Sequence, residues 1–325
     1  MINLALRMMR SCGMFSLARA WSADMARILM YHNFSAPGAL DAGALNVEGI
    51  RTQFEYLRKH FKVVPLQRIA EQLASGRTLD KKMVALTIDD GRRNCYEFLF
   101  PLMKEFQMPA TFFVVSSFIR GEDWIWTDKV LWLSEQPKRP AELIPGVIDD
   151  VFRELNRLRP AERNARIDEM ARGAGMSVPQ APPPKYSPCS WRELREMADS
   201  GLMEIGSHTA THPIFSSISD EESWEELTCS RAQIEEGIGR SVKSFCFPNG
   251  MPGDFRPGQI RQVAEAGYSC SVVAEFGMVR SGSDPYQLPR IGMARKSTAE
   301  EVGKFVDGPA YFGHRIRARL RSGQN

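Results

Sequence analysis

The chain has 325 residues, 43% of them hydrophobic and 25% charged, enough to bury one large α/β barrel or about two ordinary domains. Its 42 basic and 39 acidic residues leave a formal charge of +3, too small to mark a nucleic-acid binder. No stretch approaches the ~18 apolar residues of a bilayer-spanning helix, so no transmembrane span is expected.

Residues 1–26 read as an extension. Arg7 and Arg10 interrupt its apolar run, which spoils a signal-peptide pattern and leaves either a soluble cytoplasmic start or a short amphipathic helix in peripheral contact with a membrane. Six cysteines without CxxC spacing read as reduced thiols, consistent with the cytoplasm. The barrel pattern opens with a buried strand ending at Tyr31. Helices are expected around Phe54–Phe61 and Leu66–Leu73, then a strand over 83–88, a helix from Asn94 to Phe106 and a strand over 111–115. Residues 127–188 break this rhythm as a mostly helical insertion closed by a stiff Ala-Pro-Pro-Pro-Lys connector.

The alternation resumes with a helix over 190–199, where Ser190 and Glu193 have capping-box spacing. Strands follow near 202–205, 244–247, 268–273 and 288–291, with helices over 220–238 and 258–266 and a last one from Thr298. Strands separated by helices mean parallel strands with crossover connections, and active sites then belong at the strands' carboxyl ends. The barrel is assigned to residues 27–307. Residues 308–325, with Arg315, Arg317, Arg319 and Arg321 alternating, read as a solvated basic tail.

Two carboxylates, Asp89 and Asp90, emerge where the strand over 83–88 ends. One can hold a metal while the other takes a proton, provided that the chain bends after the strand, since strand neighbours face opposite ways. Gly91 permits the bend, although an ordinary polar turn has the same spelling. His208 and His212 stand four apart, so a helical turn or compact loop turns both imidazoles to one side. A structural polar cluster is the alternative. With Asp90 they make a two-histidine, one-carboxylate set that suits Zn2+ and admits Co2+, Ni2+, Mn2+ or Fe2+. Asp89 beside such a set fits hydrolysis of an ester or amide by water activated at the metal.

These motifs resemble the polysaccharide deacetylase family, also called NodB-homology or carbohydrate esterase 4. The family's Thr-Phe-Asp-Asp-Gly motif is similar to residues 87–91, which implies Asp89 as catalytic base and Asp90 as metal ligand. Its His-Ser/Thr-Xxx-Xxx-His-Pro motif is similar to residues 208–213, which implies that His208 and His212 complete the metal triad. The resemblance covers roughly residues 27–120 and 190–295. It implies a distorted (β/α) barrel that removes N-acetyl groups from an amino-sugar-containing glycan or glycan precursor.

Later motifs depart from the family. Its Arg-Xxx-Pro-Tyr region is similar to Cys246–Asn249, with the arginine and the aromatic residue both changed. A backbone N–H survives side-chain replacement, so Asn249 keeps the oxyanion role that the resemblance implies. Arg290 is the candidate to orient Asp89 in place of the missing arginine, against the alternative of a plain surface residue. The family's late Leu-Xxx-His motif is similar to residues 288–290, which supply no histidine, so His32 is the candidate proton donor, against a hydrogen-bonded buried histidine. Trp124, Trp126 and Asp128 either contact a sugar or anchor the insertion. Other readings of the function are a deformylase or amidase acting on a non-sugar C–N bond, or an inactive carbohydrate-binding homologue.

Overall fold

Apolar runs buried on both faces become parallel strands flanked by helices. In chain order the strands are β1 Arg27–Tyr31, β2 Phe34–Ser35, β3 Leu45–Asn46, β4 Lys62–Val63, β5 Met83–Ile88, β6 Ala110–Val114, β7 Met203–Ser207, β8 Ser244–Cys246, β9 Cys270–Phe276 and β10 Leu288–Gly292. The computed structural model describes residues 2–39, 43–293 and 296–322. β2 pairs with β3, and the other eight strands form one parallel sheet in the order β1-β10-β9-β8-β7-β6-β5-β4. β1 also pairs with β5, from Arg27 opposite Val84 to Tyr31 opposite Ile88, which closes the ring and leaves β4 beside the start of β5. This is the distorted (β/α) barrel that the sequence implies.

Strand period two sorts the side chains. Ile28, Ala85, Phe113, Cys246, Val272 and Leu288 pack together inside the barrel, while Leu29, Leu86, Phe112, Ile205 and Phe245 belong to the core beneath the helices. The helix Leu66–Ala74 adds Leu66, Ile69 and Ala70 to the inner cluster and stoppers the end at which the strands begin. There its Gln67 Nε2 donates to Ser244 Oγ at 2.6 Å.

Glu204, on β7, sits at that stoppered end and accepts from Ser244 Oγ at 2.6 Å and Gln67 Nε2 at 3.2 Å. Burial pushes its carboxyl above the ordinary 4.5, more than these donors pull it down. A raised folded-state value means that the stabilising contribution is complete below about 4.5 and is lost as pH rises through the folded value. Glu204→Gln, neutral throughout, therefore raises Tm at pH 7.5 and changes it little at pH 4.5. Thermal melts at the two pH values check this, and an equal shift at both would contradict it.

Several elements differ from the sequence reading in detail. The helix expected from Asn94 opens as a wide turn over Cys95–Leu99 before Phe100–Phe106, because Pro101 has no N–H for the regular ladder. The insertion forms the helices Trp126–Glu135, Ile148–Leu155 and Pro160–Gly173 around their own cluster, which includes Val130, Leu133, Leu155 and Ile167. The stiff connector ends in a tight turn at Pro184–Tyr186. Ser190 and Glu193 cap reciprocally as their spacing predicts.

Residues 1–26 contain two helices, Ile2–Ser11 and Met14–Trp21. The expected solvated tail is a helix over Pro309–Ser322, held to the body by buried Tyr311 and by Phe312, whose ring meets that of Trp21 at 6.4 Å. The side chains of Arg319 and Arg321 and residues 323–325 lie outside the described part.

Candidate active site

Four strands aim side chains at one mouth. β1 continues its inward register to His32, β5 to Asp89 through Ala85 and Thr87, and β7 to His208 through Glu204 and Gly206, while β10 carries Arg290 two residues after Leu288. Asp90 is out of register and is swung in by backbone turned to φ 83° at Asp90 and 92° at Gly91. A Cβ at Gly91 would lie 3.0 Å from Ile119 Cδ1 and 3.2 Å from Val114 Cβ, so the bend requires glycine.

Beyond His208 the chain forms a compact loop rather than a helical turn. Thr209 and His212 both adopt left-handed backbone, at φ 72° and 59°. The His212 N–H donates to Thr209 Oγ1 at 2.9 Å, and half-buried Glu226 accepts from the N–H groups of Ala210 at 2.7 Å and Thr211 at 2.9 Å. Of the six non-glycine residues with positive φ among the described residues, Asp90, Thr209, His212 and Asn249 lie at this mouth, so backbone strain is concentrated where side chains must converge.

One ligand atom each from Asp90, His208 and His212 lies within 4.8 Å of the others. The two Nε2 atoms stand 3.7 and 3.8 Å from Asp90 Oδ1. His208 Nδ1 is 2.8 Å from the Cys246 carbonyl oxygen, so Nδ1 carries the proton and Nε2 keeps its lone pair. Burial lowers the His208 pKa and takes that of His212 to about 3, which keeps both imidazoles in the neutral, ligating form.

Asp89, His208 and Cys246 also cluster, but there the Asp89 carboxylate is engaged by Arg290 and burial holds Cys246 well above the ordinary thiol range. A divalent metal therefore fits the Asp90, His208 and His212 set.

Asp89 Oδ1 accepts from Arg290 Nη1 at 2.8 Å, and both residues are buried. Arg290 also donates from Nε to the Val273 carbonyl at 3.1 Å and from Nη1 to Thr87 Oγ1 at 3.2 Å, which fixes the guanidinium and excludes a plain surface position. Burial raises the Asp89 carboxyl, but the Arg290 charge outweighs it and holds the group below its ordinary 3.8. His32 stands with Nε2 3.6 Å from Asp89 Oδ2 and is 41% exposed, unlike a buried structural histidine.

Asp128 and Trp124 lie away from the mouth, whereas Trp126 borders it. Asp128 is wholly buried and paired with Arg92, whose Nε donates to Asp128 Oδ2 at 2.9 Å. Arg92 Nη1 in turn reaches Asp90 Oδ2 at 2.6 Å and Asn33 Oδ1 at 3.0 Å. Trp124 packs against Trp132 and Tyr186 and donates from Nε1 to the Pro179 carbonyl at 3.1 Å, away from the mouth. Trp126 borders the mouth but is only 3% exposed, with the Arg163 guanidinium 4.6 Å from its ring centroid.

The mouth opens into a cavity of about 560 Å³, with Asn249 and Met251 on one side and Phe152 and Asn156 of the insertion on another. Sequence reasoning missed Arg92, Asn33, Phe152 and Asn156. An arginine two residues beyond paired carboxylates was the available signal for Arg92. Phe152 and Asn156 have a one-turn spacing, which gives no direction toward the barrel.

Comparison with known proteins accords with this geometry. Residues 76–270 match the polysaccharide deacetylase family. Over 168 residues the chain is 34% identical to the poly-beta-1,6-N-acetyl-D-glucosamine N-deacetylase of Escherichia coli K12, a match that covers 51% of this chain and 18% of that protein. Among solved structures, the Streptococcus pyogenes deacetylase PplD in complex with acetate superposes with a TM-score of 0.59 at 15% identity, covering 87% of this chain and 98% of that one. IcaB from Ammonifex degensii superposes with a TM-score of 0.60 at 21% identity, covering 87% and 97%. At these identities the likeness is one of fold.

Proposed function

Because the chain belongs to the polysaccharide deacetylase family, we propose that it is a metal-dependent hydrolase that removes N-acetyl groups from an amino-sugar-containing glycan or glycan precursor. The observation that carries the reading is the Asp90, His208 and His212 donor set beside the buried Asp89–Arg290 pair, at the rim of a sugar-sized cavity. The 34% identity to an enzyme named for poly-beta-1,6-N-acetyl-D-glucosamine supports N-acetylglucosamine as the sugar.

A divalent cation on Asp90, His208 and His212 supplies Lewis-acid polarisation of the amide and a more acidic water. Two imidazoles and a carboxylate favour Zn2+, and Co2+, Ni2+, Mn2+ or Fe2+ use the same donor types. Asp89, kept ionised by Arg290, takes a proton from the attacking water. The Asn249 N–H donates to the oxygen that becomes negative. His32, solvent-accessible and next to Asp89, returns a proton to the departing amine. Placement in the cytoplasm belongs to the same proposal, supported by six free cysteines.

The test measures acetate and free amine released from a panel of N-acetylated sugars, nucleotide-sugars and short oligosaccharides, with metal-reconstituted protein beside chelated protein. Release from one substrate class that stops on chelation is expected. Silence across the panel with metal demonstrably bound overturns the proposal and favours a non-sugar amide hydrolase or a binding homologue.

A further inference from the structure

Among the described residues, ten large hydrophobic side chains are exposed, and six of them, Leu4, Met8, Met14, Leu17, Trp21 and Ile316, belong to the helices Ile2–Ser11, Met14–Trp21 and Pro309–Ser322. Leu4 and Met8 are one helical turn apart, and Met14, Leu17 and Trp21 follow at spacings of three and four, in a stripe beside the buried Phe15 and Ala18. The second helix therefore has two apolar faces. Its inner face packs on the body, where Phe15 lies against Gly303, while its outer face has no cover. The helix Pro309–Ser322 joins the same surface through the Trp21–Phe312 contact.

Charge is segregated onto the same elements. Residues 1–23 and 308–325 hold seven arginines, Arg7, Arg10, Arg19, Arg315, Arg317, Arg319 and Arg321, and none of the chain's 39 acidic residues. Arg7 and Arg317 are exposed, whereas Arg10 bonds Glu300 and Arg19 bonds Asp307 on the body. Exposed leucine, methionine and tryptophan bordered by arginine is the composition of an interfacial amphipathic helix, in which tryptophan sits at headgroup depth and arginine meets anionic phosphates.

We propose that the face built from these three helices docks on the surface of an anionic lipid bilayer. The occupant follows from the combination of apolar exposure and the excess of arginine over acidic residues in these segments. A second copy of the chain would set arginine against arginine with no acidic residue in either segment to pair it. A bilayer supplies hydrocarbon and negative charge together. The face lies along the helix Ala299–Val306, on the barrel's flank, and its docking is independent of the proposed deacetylation.

Flotation of the full chain with phosphatidylcholine vesicles, with and without 30 mol% phosphatidylglycerol, tests it. Binding to the anionic vesicles at low salt is expected, at least tenfold weaker at 0.5 M salt and on phosphatidylcholine alone. The Met14→Asp/Leu17→Asp variant, altered only at exposed positions, should retain its melting temperature and lose at least tenfold in partitioning. Absence of wild-type binding overturns the proposal, as does undiminished binding by the folded variant. Light scattering on both proteins supplies the remaining outcome. A wild-type dimer that the variant dissociates, without vesicle binding, assigns the face to a second copy instead.

Discussion

Asp89→Asn retains its metal and loses roughly 10³-fold in turnover, the usual contribution of a positioned general base. Asparagine keeps an oxygen for Arg290 Nη1, now 2.8 Å from Asp89 Oδ1, but has no basic oxygen with which to take a proton. The carboxylate is neither bound into the metal set nor free in solvent, so the substitution separates proton transfer from metal binding. Asp90→Ala does the reverse, removing the only carboxylate among the three ligands, and loses metal occupancy first and activity with it. Metal content by mass spectrometry, read beside single-turnover rates, distinguishes the two variants. Wild-type turnover in Asp89→Asn would remove the base from the mechanism. Because Asp89→Asn also strands the buried Arg290 charge, rates belong well below its melting temperature.

Arg92→Met destabilises the metal-free protein by about 3–5 kcal/mol, the scale for breaking a buried ion pair. The guanidinium lies between Asp90 and Asp128, both buried, and its loss leaves two carboxylates without the charge that balances them. Burial alone drives the Asp128 carboxyl up, and even Arg92 does not bring it back to the ordinary 3.8, a sign of how costly that charge is. Adding Asp128→Asn to Arg92→Met therefore recovers part of the loss, so the double variant is more stable than the sum of the singles predicts. Urea midpoints of the four proteins measure the coupling. Strictly additive midpoints would show that the close contacts carry no net interaction.

The site was legible in the sequence as far as strand register reaches. Asp89 and His208 follow buried strands, and their inward direction comes from counting twos along β5 and β7. Asp90 and His212 depend on left-handed backbone, which spacing permits and does not dictate. The Arg92–Asp128 pair joins residues 36 apart in sequence through a buried contact that no periodicity announces, so Asp128 beside two tryptophans was read for its chemistry and not for its partner. The last helix was hidden for a different reason. Alternating arginines mask the spacing of Tyr311, Phe312 and Ile316, and the apolar anchors that order it come from the opposite end of the chain.

Leu66, Ile69 and Ala70 stopper one end of the barrel, so the site is approached through the mouth at the other. Traffic through it has an order set by depth. Asp89 and Arg290 lie at the floor and the walls of Phe152, Asn156 and Met251 rise above them, so an acyl group delivered to the floor is overlaid by the sugar that carried it in. For the proposed deacetylation this depth predicts that the freed amine leaves before the carboxylate, and that a small carboxylate added from solution competes with substrate.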